Sequence, residues 1–161
     1  MDYRKEYEKW LASPALSEDE RAELRALEGN DKEIKARFYG PLEFGTAGLR
    51  GTMYTGLHNM NRHVIRWATQ GFANVIRAEG TEAMQKGVAV CMDCRNHSAE
   101  FARETACVMA ANGIHVRLFE SLRPTPELSF AVREYGCQAG VNVTASHNPK
   151  EYNGCLLYTS P

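Results

Sequence analysis

Three short apolar segments, separated by helical patterns, most constrain the fold of this chain. Residues 88–92, VAVCM, form the continuous apolar run that is typical of a strand covered on both faces. Residues 114–118 alternate apolar and polar side chains, and residues 140–143, GVNV, form a third strand pattern. Helical patterns at residues 98–112 and 127–135 separate the three strands. Strands joined by crossover helices pair in parallel, so the sequence predicts an α/β layer.

A further helix is predicted for residues 62–78, with Asn61 as its N-cap and Gly80 beyond its end. Trp67 lies in this helix, and we expect its large side chain to pack in the core. The helix of residues 98–112 is predicted to be capped by Ser98. The apolar face of the 62–78 helix comprises Val64, Ile65, Ala68, Phe72, Val75 and Ile76.

The first forty residues form a charged, helical N-terminal extension. Ser17 and Glu20 have the spacing of a capping box, which predicts the start of a helix. The composition changes abruptly to glycine and threonine after Gly40–Pro41. We therefore place a boundary there, between the extension at residues 1–40 and the domain proper.

Charge and hydropathy exclude several classes of partner. The 161 residues include 19 Lys and Arg against 20 Asp and Glu, a formal charge of -1, which gives no sign of nucleic-acid binding. No apolar run has membrane-spanning length and no signal-peptide core is visible, so we expect a cytoplasmic protein without membrane contact. The five cysteines are then expected to be reduced thiols.

The last predicted strand runs directly into a polar loop, TASHNPKEYNG, at residues 144–154. Ligands bind at the carboxyl ends of strands in such sheets, and Ser146 lies there. A serine hydroxyl needs a base such as the adjacent His147, or it carries a phosphoryl group that it passes on. We favour the phosphoryl group, because neighbouring side chains in an extended loop tend to diverge. A simple turn made by Ser146 and Asn148 remains an alternative of about equal weight.

A glycine-rich stretch, FGTAGLRG, at residues 44–51 could bind an anion. Its glycines let the backbone approach an anion closely, and Arg50 offers paired donors to a phosphate. The spacing matches neither a P-loop nor a dinucleotide fingerprint. A glycine-rich turn with a solvated arginine is the competing interpretation.

Cys91 and Cys94 form a C-x-x-C, which suggests a thiol redox module as a rival function. Cys91 lies in a predicted strand, where residues three apart face opposite sides, so the pattern favours two inert thiols. Asp93 and Arg95 follow the same strand, and we interpret them as a surface salt bridge more readily than as residues that order the site.

FGTAGLRG, followed about a hundred residues later by TASHNPKEYNG, resembles the alpha-phosphohexomutase superfamily of phosphoglucomutases and phosphomannomutases. The intervening RPTPELSFAVREYGCQAGVNV and the helical extension are similar to the phosphoglucomutase/phosphopentomutase branch. The resemblance covers Tyr3 to Gly154. It implies that residues 41–154 form domain I of that fold, a mixed, mostly parallel sheet sandwiched by helices.

The resemblance also implies a chemistry. Ser146 would be the catalytic phosphoserine, a ligand of Mg²⁺ through its phosphate, and His147 a catalytic polar or proton-handling group. Arg50 would face the phosphate of Ser146, with Thr46 and Gly51 shaping the pocket. The implied reaction moves a phosphoryl group between positions 1 and 6 of a hexose phosphate, or 1 and 5 of a pentose phosphate, through a bisphosphate intermediate.

The chain departs from the family pattern in two respects. Cys155 and Leu156 stand where the family has an aromatic residue and a proton-transferring lysine. The aspartate-rich magnesium loop, the sugar loop and the terminal phosphate loop of a four-domain mutase are missing. We therefore expect the 161-residue chain to be inactive by itself, with residues 155–161 a tail outside the family pattern. A non-catalytic binding fragment is the alternative, with apolar surface exposed around residues 152–157.

Overall fold

The computed structural model describes residues 1–45 and 48–159 of the chain. In these residues five strands form one sheet in the order β1-β5-β4-β2-β3. The strands are β1 (Gly48–Thr52), β2 (Val88–Met92), β3 (Val116–Leu118), β4 (Ala139–Val143) and β5 (Tyr152–Thr159). The α/β class and the mixed sheet predicted above are confirmed.

The sheet combines two directions of strand pairing. Within the described residues, β2 pairs in parallel with both β3 and β4, whereas β5 runs antiparallel to both β4 and β1. In the β2–β4 ladder, Val88 lies opposite Ala139 and Met92 lies opposite Val143. Every residue of β2 and β4 is buried, as expected for parallel strands covered on both faces.

Seven helices surround the sheet in the described part of the chain. Three belong to the N-terminal extension: α1 (Tyr3–Leu11), α2 (Glu18–Arg25) and α3 (Asp31–Phe38). The other four are α4 (Arg62–Ala78), α5 (Thr81–Lys86), α6 (Ser98–Ala111) and α7 (Thr125–Glu134).

The alternation of side chains along β2 explains the three layers. Val88 and Val90 face the main core, which includes residues of α4 and α6. Ala89 and Cys91 face the opposite side, where Leu128 of α7 packs against them. A strand with a side-chain period of two thus divides its apolar residues between two helical layers.

The N-terminal extension has its own apolar cluster and is joined to the domain. Trp10 packs against both this cluster and the main core. The carboxylate of Glu20 accepts a hydrogen bond from Arg62 Nη2 at 2.7 Å and lies 3.1 Å from His63 Nε2. The predicted capping box of Ser17 and Glu20 is present. The buried members of the cluster are Leu16, Leu24, Leu27, Ile34 and Phe38.

Two predictions about α4 and α6 were wrong. Trp67 is 59% exposed, because the sheet lies against the other side of α4, where Val64 and Ile65 are buried. Ser98 is the first residue of α6 and not its N-cap. The N-cap is His97, with a left-handed φ of 61°, and the Ser98 hydroxyl donates to Asp93 Oδ1 at 2.9 Å.

The expected apolar exposure around residues 152–157 is also wrong. Residues 155–159 continue β5, and this strand is paired on both sides. Cys155 and Leu156 are each only 5% exposed. The sequence analysis missed both β1 and β5 because β1 contains two glycines and β5 begins with Asn153 and Gly154 after Tyr152, and both residue types are depleted in strands.

Gly154 is a point of close backbone approach between β5 and its neighbours. A Cβ atom added there would lie 2.4 Å from the carbonyl oxygen of Leu49 and 2.7 Å from that of Thr144. Both obstacles are backbone atoms: Leu49 lies in β1, and Thr144 directly follows β4 and bonds to Gly154, so neither can move without disturbing the sheet.

We expect Gly154→Ala to lower the free energy of unfolding by about 2–3 kcal/mol, the cost of forcing a methyl group into a packed core. Gly71→Ala is the matched control, because Gly71 lies within α4 and a Cβ there meets nothing within 4 Å. It should raise the stability by about 0.5–1 kcal/mol. Urea unfolding followed by circular dichroism measures both, and an unchanged midpoint for Gly154→Ala would contradict the packing described.

Candidate functional site

The site lies where β2 and β4 end. These strands are parallel, so their carboxyl ends meet at one edge of the sheet. The N–H of Asp93 donates to the carbonyl of Val143 at 3.2 Å, and the N–H of Thr144 donates to the carbonyl of Gly154 at 3.0 Å. The loop after β2 and the loop that contains Ser146 therefore begin side by side.

Ser146 is exposed and has a left-handed backbone, with φ of 59°. A residue other than glycine in this region costs on the order of 1–3 kcal/mol, and such residues cluster at functional sites. The N–H of Ser146 donates to Thr144 Oγ1 at 2.9 Å, and Thr144 Oγ1 donates in turn to Asp93 Oδ2 at 2.5 Å. This chain of hydrogen bonds holds the unusual conformation in place.

His147 lies close to the serine hydroxyl. Its Nδ1 is 3.3 Å from Ser146 Oγ, and both side chains are exposed. The expectation that the two neighbouring side chains diverge was wrong. The left-handed backbone at Ser146 turns the chain so that the hydroxyl and the imidazole meet. The pair can pass a proton between Oγ and Nδ1.

Arg50 reaches the same loop from β1. It lies opposite Gly154 in the β1–β5 ladder, and its Nη1 is 3.5 Å from Asn148 Oδ1, at the limit of a hydrogen bond. The missing side chain at Gly154 makes room for Arg50, because a Cβ there would be 3.1 Å from Arg50 Cγ. Among residues 1–45 and 48–159, this long contact with Asn148, two residues after Ser146, is the only side-chain hydrogen bond of the Arg50 guanidinium.

Thr46 and Gly51 are the other two residues predicted to shape the phosphate pocket. Thr46 lies outside the described residues. Gly51 is buried beside Arg50 in β1, opposite Asn153. A Cβ at Gly51 would be 3.3 Å from the side chain of Leu42, which shows that the backbone is closely packed at this point.

The interpretation of Arg95 as a surface salt bridge was wrong. Its side chain is only 13% exposed, and its guanidinium donates to four backbone carbonyls of the serine loop. Its Nε also lies 3.4 Å from Asp93 Oδ2. The available signal was the position of Asp93 and Arg95 directly after a buried strand, which is the same signal that identified Ser146.

Asn153 fixes the far end of the loop. Its side chain is fully buried, and its Nδ2 donates to the carbonyl of Asn96 at 2.8 Å and to Ser98 Oγ at 3.0 Å. Its Oδ1 accepts the N–H of Gly154 at 2.8 Å. The sequence motif therefore uses this asparagine to join the start of β5 to the loop after β2.

The C-x-x-C has the wrong environment for redox chemistry. Burial, together with the nearby carboxylates of Glu127 and Asp93, raises the pKa of the Cys91 thiol to about 12. A reactive cysteine requires a lowered pKa and solvent access. Cys94 is exposed, and both cysteines are free thiols. The geometry thus supports the interpretation of two inert thiols.

The described residues do not make a magnesium site by themselves. In residues 1–45 and 48–159, no three His, Cys, Asp or Glu side chains are grouped so that they could hold a metal ion. Mg²⁺ requires near-octahedral oxygen ligands, and Ser146 could supply only one through a phosphate.

None of the helices in the described ranges combines the length and the apolar composition that a membrane crossing requires.

Comparison with known proteins agrees with this geometry. The family model described as phosphoglucomutase/phosphomannomutase, alpha/beta/alpha domain I, matches residues 41–161. A human phosphopentomutase is 40% identical over 137 residues, which cover 81% of this chain and 22% of that protein. A phosphoglucomutase from Staphylococcus saprophyticus is 41% identical over 128 residues, covering 80% of this chain and 23% of that protein.

A solved structure shares the fold. A Thermus thermophilus protein described as a phosphomannomutase superposes with a TM-score of 0.67 at 31% identity, covering 74% of this chain and 26% of that one. The chain spans about a quarter of the length of these relatives. By the match over residues 41–161, the chain belongs to the phosphoglucomutase/phosphomannomutase family and carries its α/β/α domain I.

Proposed function

We propose that this chain carries the phosphoserine of a phosphosugar mutase. The parent protein would move a phosphoryl group between positions 1 and 6 of a hexose phosphate, or 1 and 5 of a pentose phosphate, through a bisphosphate intermediate. The observation that carries the proposal is the exposed Ser146 hydroxyl, held in a left-handed turn at the carboxyl edge of the sheet, 3.3 Å from His147 Nδ1. The relatives named phosphoglucomutase and phosphopentomutase support the substrate class.

In the proposed step, phosphoserine donates its phosphoryl group to a sugar hydroxyl. The sugar oxygen forms a bond to phosphorus while the bond from phosphorus to Ser146 Oγ breaks, and the electron pair of that bond stays on Oγ. Oγ then takes a proton from His147 Nδ1, and the sugar hydroxyl gives up its proton to a base. In the reverse step, His147 accepts the hydroxyl proton of Ser146.

Charge neutralisation is the second contribution of this chain. Phosphorylation places roughly two negative charges on Ser146. Arg50 approaches the loop at Asn148 and offers a planar fork of donors to that phosphate. Magnesium would add charge neutralisation when bound, and the described residues contain no group of three His, Cys, Asp or Glu side chains that could hold it.

At the position where the family has a proton-transferring lysine, this chain has no residue that could transfer a proton. Cys155 and Leu156 are both buried in β5, and burial raises the pKa of the Cys155 thiol to about 12. A neutral, buried thiol cannot exchange protons with a sugar hydroxyl. The base in the proposed step therefore lies elsewhere in the complete enzyme.

The proposal includes a cytoplasmic location and the inactivity of the 161 residues by themselves. The free cysteines are typical of a reducing compartment. The chain spans only about a quarter of its relatives, so the surfaces that bind the sugar are expected on other domains.

The decisive experiment reads the coding sequence beyond codon 161 and assays the longest product that contains this domain. With glucose 1,6-bisphosphate and Mg²⁺ present, we expect turnover of glucose 1-phosphate or ribose 1-phosphate. Ser146→Ala should reduce kcat at least about 10⁴-fold, the scale on which removal of a nucleophile acts. Cys94→Ser is the control and should leave kcat within twofold.

Three other results would reject this proposal. Normal turnover by Ser146→Ala would exclude the phosphoserine. Loss of thiol–disulfide exchange activity in Cys94→Ser, with no mutase activity in the parent, would favour the redox module. A coding sequence that stops after Pro161 would leave a binding fragment in place of a catalyst.

The role of Arg50 can be tested on the 161-residue chain itself. With phosphoserine incorporated genetically at position 146, a ³¹P NMR titration follows its second ionisation, which lies near pH 6 in a free phosphoserine. Arg50 stabilises the dianion, so we expect a pKa below that value, and Arg50→Gln should raise it by roughly 0.5–1 unit. Arg123→Gln, which removes an exposed arginine paired with Glu127, should not change it. Equal pKa values in all three proteins would remove Arg50 from the phosphate site.

A further inference from the structure

We propose that Arg95 is a positioning residue, which holds the backbone of Ser146 in the conformation required for phosphoryl transfer and does not itself bind phosphate. The role of this conformation in phosphoryl transfer rests on the proposed function, whereas the ordering of the Ser146 backbone by Arg95 does not. Arg95 follows β2, and Ser146 follows β4 on the next strand of the sheet.

The guanidinium of Arg95 holds the whole length of the serine loop. Its Nη2 donates to the carbonyls of Ser146 at 2.9 Å and Asn148 at 2.7 Å. Its Nη1 donates to the carbonyls of Pro149 at 2.8 Å and Tyr152 at 3.0 Å. One side chain thus joins the first turn of the loop to the first residue of β5.

Arg95 and Asp93 fix Ser146 from both sides of its Cα atom. Arg95 holds the carbonyl of Ser146, and Thr144 Oγ1, itself bound to Asp93, holds the N–H. With both flanking peptide groups fixed, the left-handed φ of Ser146 is determined by these contacts. The side chain of Ser146 is left free to point outwards.

Two arginines near Ser146 have different roles on this view. A guanidinium has five N–H donors, and both Nη atoms of Arg95 bind carbonyls of the loop, two each. Its Nε forms an ion pair with Asp93 Oδ2 at 3.4 Å. The Nη donors of Arg95 are therefore committed to the loop backbone. Within the described part of the chain, Arg50 makes one long hydrogen bond, to Asn148, so its other donors can serve a phosphate.

Replacing Arg95 by lysine keeps the positive charge and removes the planar fork of N–H donors. A lysine ammonium has three donors on one nitrogen and cannot bind four carbonyls at once. Arg95→Lys therefore separates the geometry of the contact from its charge. Arg123→Lys is the matched control, because Arg123 lies after β3 at the same edge of the sheet and its side chain is 42% exposed.

The first test uses the 161-residue chain and amide hydrogen exchange measured by NMR. The N–H groups of Asn148 and Tyr152 bond within the loop, to the carbonyls of Ala145 and Pro149. In Arg95→Lys we expect both amides to exchange at least tenfold faster, while the amides of β2 and β4 change less than twofold. Arg123→Lys should leave all of these unchanged.

Two outcomes of this test would overturn the inference. Unchanged loop amides would show that Arg95 does not order the loop. An equal acceleration throughout the sheet would make Arg95 a residue of general stability.

A measurement on the unsubstituted chain covers the case in which Arg95→Lys does not fold. In the unsubstituted chain, the Nη protons of Arg95 should exchange slowly with water and give separate NMR signals, unlike the Nη protons of Arg123. Rapidly exchanging, averaged Nη signals for Arg95 would also contradict the inference.

The second test uses the mutase assay described above. A positioning residue acts on Ser146 and does not bind the substrate, so Arg95→Lys should lower kcat about 100-fold, the scale of a 1 Å misplacement, and leave the KM for the sugar phosphate within twofold. Normal kcat in Arg95→Lys, together with an inactive Ser146→Ala, would reject the positioning role alone. Full activity in Ser146→Ala would reject the proposed function and leave the exchange result standing.

Discussion

The parallel pairing of β2 with β4 is the contact on which the site depends. Both strands are buried along their whole length, so their register is fixed by two helical layers. β2 and β4 end at the same level, at Met92 and Val143. This brings Asp93 next to Thr144, and Arg95 next to the loop of Ser146. A slip of one residue in either strand would separate these partners and also turn its apolar side chains to the wrong layers.

The site combines a largely covered cation with an exposed serine. Arg95 is covered by the loop that it organises, and its charge is balanced by Asp93 and four carbonyl dipoles. Ser146 and His147 stand on the outer side of the same loop, in solvent. This pre-organisation suits the proposed phosphoryl transfer, because that reaction depends mostly on position and charge.

Much of this arrangement could be predicted from the sequence, and the rest could not for identifiable reasons. The apolar runs located β2 and β4, and the position of Ser146 after a strand predicted its place at the sheet edge. The strands β1 and β5 could not be predicted, because both contain glycines, which weaken a strand pattern. A glycine in a strand marks close approach of another backbone, as Gly154 does here. The role of Arg95 depends on four carbonyl groups, which have no signature in a sequence.

The position of β5 between β1 and β4 also determines when the site can form during folding. Arg50 and Asn148 are 98 residues apart, and β1 contacts the rest of the sheet through β5. Contacts of this sequence separation form slowly, because the entropy of closing the loop must be lost first. On a ribosome, the β2–β4 core can assemble before β5 has emerged, whereas Arg50 reaches the serine loop only afterwards. Synthesis of β5 therefore completes the proposed phosphate site, and a nascent chain without β5 would display Ser146 without Arg50.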